Sequence, residues 1–325
     1  MKSAAELQPQ AWQRLLRCRE KVPHALLLHG PAGIGKLALA ELFAQLLLCE
    51  EPPSALPCGK CDSCRWFAAG NHPDVRLVES EALSRRAQPE AEGTEKAKGK
   101  PSFEIKIDQI RGLEDFVHIG SHRGGMRVAI VSPAEAMNPH AANALLKNLE
   151  EPPPGAVFLL VASRPAQLLP TVRSRCVQMA ISLPEPSTAK AWLEDEGVGE
   201  AASRLAFAGG APRQALQDAQ SGRGAFIDEM LAQLADGEQR SRIQAPRDRE
   251  GLELLAEVLQ KRAYDGVFAA FGLPSRYGTL RAPTQGSALE WIRFARKLGH
   301  DRALARHPLN PMLHASQMLT AWPGA

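Results

Sequence analysis

Ala25-Leu26-Leu27-Leu28-His29-Gly30-Pro31-Ala32-Gly33-Ile34-Gly35-Lys36-Leu37 is the stretch on which the reading of the fold turns. A short apolar run ends at a glycine-rich turn. The residues that follow, Leu37 to Cys49, are apolar apart from interruptions such as Glu41 and Gln45, and read as a buried helix. Strand, glycine loop and helix in this order make a phosphate-binding loop. Its backbone N–H groups cradle phosphate, and its lysine reaches the outer phosphates. Gly30, Gly33, Gly35 and Lys36 are therefore the candidate nucleotide-binding residues. The motif ordinarily closes on Ser or Thr, whose hydroxyl binds Mg²⁺. Leu37 stands there instead, and an isobutyl group cannot coordinate a metal.

Outward from the loop, strand and helix signals alternate. Trp12, Leu15 and Leu16 sit at helical spacing, as do Ile107, Ile110, Leu113, Phe116 and Val117. Val128 to Val131 and Val157 to Val161 read as further buried strands. Between them Asn138-Pro139 supplies an N-cap and a first-turn proline for a helix that Pro152-Pro153-Pro154 stops. Such alternation predicts an α/β domain with a parallel sheet covered by helices. A working phosphate-loop ATPase also holds its metal with an acidic residue leaving a neighbouring strand. Here Arg127–Val131 exits into Ser132-Pro133-Ala134-Glu135, so Ser132 and Pro133 replace the expected Asp and Glu, and Glu135 lies two positions further on. Loss of both metal-holding groups removes a Lewis-acid contribution of several kcal/mol. Binding of ATP or ADP stays open, while hydrolysis by this chain alone is not expected.

Cys49, Cys58, Cys61 and Cys64 form C-x8-C-x2-C-x2-C, with Pro57 and Gly59 bending the chain among them. Two-residue spacers let thiolates converge on one ion, and four sulfurs complete a closed, structural zinc site. An iron–sulfur cluster is the rival, since C-x2-C-x2-C also occurs in ferredoxins; the missing downstream Cys-Pro and the distant first ligand favour zinc. Cys18 and Cys176 read as small apolar residues.

A chain of 325 residues suggests about two or three domains. Net charge of +3 does not announce a nucleic-acid binder, although thirteen Lys and Arg face seven Asp and Glu from Arg240 to Arg306. A solvated helical surface explains that excess equally well. No apolar run reaches the roughly 20 residues of a membrane span, and Met1-Lys2-Ser3-Ala4-Ala5-Glu6 lacks a signal-peptide core, so a cytoplasmic, membrane-free protein is expected. Residues 80–102 are polar and of mixed charge, with Leu83 the one large aliphatic, and read as a mobile surface loop. After Ile181, Pro184 and Pro186 mark a boundary, Ser187 offers an N-cap for a helix to Gly197, and helical patterning continues to the end, with a polar break from Asp236 to Glu250. The boundaries expected are a nucleotide-binding-like domain with its zinc module at 1–183, a helical lid at 184–222 and an all-α C-terminal domain at 223–325.

The phosphate loop, the four-cysteine module after its helix, Asn138 to Pro154 (NPHAANALLKNLEEPPP) and Thr171-Val172-Arg173-Ser174-Arg175-Cys176 together resemble the bacterial clamp-loader branch of AAA+ proteins. His72-Pro73-Asp74 and Ile107-Asp108-Gln109-Ile110-Arg111 are similar to that family as well, and the likeness covers about residues 1–220. Beyond that, Asn310-Pro311-Met312-Leu313 and helical character agree. The resemblance implies an AAA+ domain, a lid and a C-terminal collar domain for hetero-oligomer assembly. The degenerate metal positions place the chain with the non-hydrolysing members rather than with gamma/tau. Implied partners are gamma/tau and delta subunits, with the sliding clamp and primed DNA reached through the assembly. It also implies that Arg175 is an arginine finger acting on ATP held by a neighbouring subunit. Ser163 falls where related ATPases sense phosphate, or is simply a turn residue, and Arg213 matches the lid arginine or is an ordinary surface residue. Two other readings stay open at this point: an active gamma-like ATPase using Glu135, and a zinc-dependent nucleic-acid-binding module with a vestigial phosphate loop.

Overall fold

The computed structural model describes residues 4–51, 54–83, 102–119, 121, 125–235, 246, 248–279, 286–304 and 310–322. The chain divides into two compact units, 2–184 and 185–325. In the first, β1 (Ala25–His29), β2 (Val75–Val78), β3 (Arg127–Val131), β4 (Ala156–Ala162) and β5 (Val177–Ala180) form one sheet in the order β2-β3-β4-β1-β5. Every pairing is parallel, with Leu27 opposite Leu160 and Ile130 opposite Leu159. The three central strands are buried on both faces, which is why β1, β3 and β4 announce themselves as continuous aliphatic runs. β2 (VRLV) and β5 (VQMA) are half-exposed edges and carry no such run, so sequence patterning passes over them.

Side chains alternate between the faces. Ala25, Leu27, Ala129, Val131, Phe158 and Leu160 pack with Ile110, Leu113 and Phe116 of the helix Ile107–His118 and with Leu145 and Leu149 of Pro139–Glu150. The helix Lys36–Leu48 packs against the same central strands and buries Leu39, Phe43 and Leu46. Asn138 caps its helix as expected, its side chain accepting the Ala141 N–H at 2.9 Å with Pro139 at the first position. One cap differs. The helix after the proline boundary runs Pro186–Asp195 with Glu185 before it, so Ser187 lies inside the first turn rather than at the N-cap. Proline's fixed φ suits the first helical position, and that starts the helix earlier.

Among the described residues of the 185–325 unit, the regular elements are all helices. Phe207 shares its core with Leu255, Leu259, Trp291, Phe294 and Met318. Asp265 is fully buried there and accepts hydrogen bonds from the Ser275 and Thr279 hydroxyls, both 2.6 Å, and from the N–H groups of Arg276, Tyr277 and Thr279. Burial works upward on its pKa, but these bonds hold it below the ordinary carboxylate value. The ends of the 80–102 stretch meet, with Ala82 N–H donating to the Ser102 carbonyl at 3.1 Å; residues 84–101 lie outside the described set, as do 236–245 and 247 of the polar break. Among the described residues no helix is long and apolar enough to cross a membrane.

At Gly30, where β1 turns into the phosphate loop, an added Cβ meets the Ile181 carbonyl oxygen at 2.1 Å, and φ is +155°. Backbone cannot retreat there without parting β1 from β5. Gly30→Ala is therefore expected to lower the stability of the first unit by about 2–4 kcal/mol, read as a fall in its urea midpoint. An unchanged midpoint refutes the close approach.

Candidate functional site

The phosphate loop leaves the C-terminal end of β1 between β4 and β5, the edge where parallel α/β sheets take ligands. Gly33 and Gly35 adopt left-handed φ of 74° and 95°, and Gly35 is the N-cap that lets the helix open on Lys36. Lys36 is only 5% exposed. Its ammonium donates to the carbonyls of Gly30 (2.8 Å) and Pro31 (2.5 Å) and to the Ser163 hydroxyl (3.1 Å). Glu135 braces the other side of Ser163, its Oε1 accepting the N–H groups of Ser163 (2.9 Å) and Arg164 (3.1 Å). Glu135 Oε2 is buried with no hydrogen-bond partner among the described residues. Lys36, Glu135 and Ser163, separate in sequence, thus form one network. Burial brings the Lys36 pKa down to about 8, and the Glu135 carboxylate opposes that fall.

Around this network, Ser132 is buried and its N–H donates to the Val78 carbonyl at 3.0 Å, continuing the ladder between β3 and β2. Sequence patterning gave no sign of Gln8, which the fold buries beside the loop. Its amide donates to the carbonyls of Ile34 and Ser182, both at 3.1 Å, tying the loop to the chain just past β5.

Arg175 follows the short helix Pro170–Ser174. Its guanidinium donates to the Thr171 carbonyl at 3.0 Å and pairs with Glu150 at 2.5 Å, both side chains being partly exposed. An exposed pair of this kind is worth about 0–1 kcal/mol and is readily exchanged for another anion. Arg213 belongs to the 185–325 unit, at the start of the helix Pro212–Gln220. It lies over the Trp192 ring at 5.7 Å and lines, with Leu216, Gln217, Gln220 and Ser221, an open cavity of about 420 Å³.

The four cysteine sulfurs Cys49, Cys58, Cys61 and Cys64 all lie within 4.8 Å of one another. Cys58 and Cys64 are 3.9 Å apart, against the edge of about 3.8 Å that a tetrahedron with Zn–S bonds of about 2.3 Å requires. Backbone N–H groups point at the sulfurs: Cys58 to Cys49, Lys60 and Cys61 to Cys58, and Cys64 to Cys61. Those from Lys60 and Cys61 bring the Cys58 thiol down to about 7, while burial pushes Cys64 up to about 12. A bound cation removes that burial cost by deprotonating its thiols outright. The donor set fits one tetrahedral, thiolate-bound ion.

Comparison with known proteins places these features in context. A family model described as DNA polymerase III, delta subunit matches residues 7–185. DNA polymerase III subunit delta' of Pseudomonas aeruginosa is 43% identical over 234 residues, which is 70% of this chain and 65% of that protein. DNA polymerase III subunit tau of Escherichia coli is 30% identical over 259 residues, 75% of this chain and 37% of that protein. The chain thus spans less than two thirds of the length of these curated relatives. The crystal structure of a DNA polymerase III gamma subunit-related protein from Thermotoga maritima superposes with a TM-score of 0.50 at 18% identity, covering 95% of this chain and 97% of that one. That likeness is one of fold.

The Lys36 pKa makes a measurable demand. Between about 8 and 10.5 the folded state binds fewer protons at this amine than the unfolded chain does. Stability therefore rises with pH across that window, and the cost of the buried charge is fully present below it. NMR of the ¹³C-lysine-labelled protein, with Lys36→Met as the assignment control, is expected to give Lys36 a midpoint near 8. A midpoint shared with the surface lysines refutes the burial.

Proposed function

This chain belongs to the DNA polymerase III delta-subunit family, and on that premise we propose that it is a delta'-type, non-hydrolysing subunit of a clamp loader. Its fold is the α/β AAA+ phosphate-loop architecture, with a four-cysteine module able to hold a metal. In the proposed reading it joins gamma/tau and delta subunits, through which ATP-dependent loading of the sliding clamp onto primed DNA proceeds. Residues 184–222 act as lid and 223–325 as collar. Zinc is the metal proposed for Cys49, Cys58, Cys61 and Cys64, where it pins the loop after the first long helix and takes no part in chemistry.

The observation that carries the non-hydrolysing reading is the fate of the metal-holding positions. Leu37 has no ligand atom. Ser132 puts a neutral hydroxyl where an acidic residue is required, and Pro133 has no side-chain ligand atom. Gly30, Gly33, Gly35 and Lys36 keep the loop's shape, and Lys36 satisfies its charge within the loop and on Ser163. Any nucleotide, ATP or ADP, has to draw Lys36 away from those partners, with Arg213 as the proposed lid contact.

Arg175 is the proposed catalytic contribution, made to the neighbouring subunit. A guanidinium held on an exposed carboxylate can exchange it for a γ-phosphate, where it offsets the charge that develops on the transferring group. A second reading, an active gamma-like ATPase, draws on the unpartnered Oε2 of Glu135 as a substitute metal ligand. Against it, Oε1 of the same carboxylate is occupied by two backbone N–H groups.

Reconstitution with a gamma-type and a delta subunit tests the reading. A stable complex with clamp- and DNA-stimulated ATPase is expected. Arg175→Ala is expected to lower its turnover by about 10³-fold at the one site this chain abuts, without loss of assembly. Unchanged single-site turnover removes the finger. Mg²⁺-dependent hydrolysis by this chain alone at about 1 s⁻¹ or above favours the gamma-like reading instead.

A further inference from the structure

His72-Pro73-Asp74 stands between the four-cysteine module and the sheet, and nothing in the proposed function uses it. Ser63 lies inside the ligand run, between Cys61 and Cys64, and is 2% exposed. Its hydroxyl lies 2.7 Å from the carbonyl of Leu48, the residue before Cys49, and donates to it. With its one proton used there, the same oxygen accepts from His72 Nε2 at 2.8 Å. His72 Nδ1 in turn accepts the Asp74 N–H at 3.0 Å. The two bonds together require the neutral ring with its proton on Nε2. His72 is 8% exposed, and Trp66 meets it edge-on with centroids 6.1 Å apart.

Both ends of this chain of bonds are anchored. The Asp74 carbonyl accepts the Val128 N–H at 2.9 Å, the first rung between β2 and β3. The Asp74 carboxylate pairs with Arg127 at 3.5 Å, both side chains deeply buried. Arg127 lies over the Phe116 ring and donates to the Phe116 carbonyl. At the other end Ser63 touches both halves of the ligand set. It sits on the helix Asp62–Ala68, which carries Cys64 and is capped by Cys61, and it holds the helix end next to Cys49.

We propose that Ser63 and His72 are positioning residues of the metal site. The Ser63 bond to the Leu48 carbonyl fixes the spacing between Cys49 and the Cys58–Cys64 loop, and the bond from His72 orients that hydroxyl and ties both to the start of β2. The inference rests on the metal reading of the four cysteines. It assigns no ligand role to His72, whose two ring nitrogens are taken by Ser63 and Asp74. Without the joint, the halves of the ligand set separate more often and the ion escapes more often, as happens when outer-shell partners of metal sites are removed.

The test is Zn²⁺ release from the full chain to excess pyridylazoresorcinol, after metal analysis of the wild-type protein. His72→Ala and Ser63→Ala are each expected to release Zn²⁺ about tenfold faster than wild type. His72→Gln keeps an N–H that reaches Ser63 and is expected to restore near wild-type release. His72→Asn keeps an acceptor for Asp74 but cannot reach Ser63, and is expected to behave as His72→Ala does. A histidine that merely fills the core does not separate Gln from Asn. If His72→Ala fails to fold, Ser63→Ala, which removes a single oxygen, carries the test. Wild-type release rates in all the variants that fold overturn the inference and leave the metal reading standing. A wild-type chain that takes up no Zn²⁺ overturns both.

Discussion

A buried ammonium must be hydrogen-bonded or neutral, and much of the first unit is arranged around meeting that requirement at Lys36. Its three donors go to two carbonyls of its own loop and to Ser163. The chain can pass this close to the Ile181 carbonyl because Gly30 has no Cβ. Ser163 stays in place because Glu135 takes its N–H and that of Arg164. Gln8 closes the far side of the loop through Ile34. The cation of the loop is therefore already satisfied by protein groups, and in the proposed reading an entering phosphate has to exchange one set of partners for another rather than fill an empty charge.

That arrangement bears on what a nucleotide could do here. Of the positions that hold metal in a working site, Leu37 and Pro133 have no side-chain ligand atom, Ser132 has only a neutral hydroxyl, and one oxygen of Glu135 is engaged by backbone N–H groups. The features that remain are those that give shape. The same holds for the four cysteines, where N–H groups of Lys60 and Cys61 pre-set Cys58 for a cation while burial disfavours ionisation of Cys64 in its absence. Arg175 differs from both. Its partner Glu150 is partly exposed, so its charge is held loosely and a neighbouring anion can claim it at small cost.

Much of the fold was legible because burial on both faces leaves a continuous apolar trace. β1, β3 and β4 are of that kind, and the Asn138-Pro139 helix start follows from a side-chain cap and a fixed φ. The edges β2 and β5 were not legible: their half-exposed residues mix Arg76 and Gln178 with aliphatics, and only pairing with β3 and β1 makes them strands. The Ser187 cap was misplaced by one turn's preference for proline at its start. Asp265 gave no signal at all, since its donors come from a loop ten or more residues further on.

For the candidate site the division is similar. The phosphate loop, the four cysteines and the loss of Leu37, Ser132 and Pro133 as metal ligands are properties of residue type at fixed short spacing, and the sequence by itself determined them. Short-range spacing constrains geometry because few bonds separate the groups. That Lys36 meets Ser163 and Glu135, that Arg175 rests on Glu150, and that Ser63 joins His72 were decided by the tertiary structure alone. Those partners lie up to 127 residues apart, and only the closure of the sheet and its helices brings them within hydrogen-bonding distance.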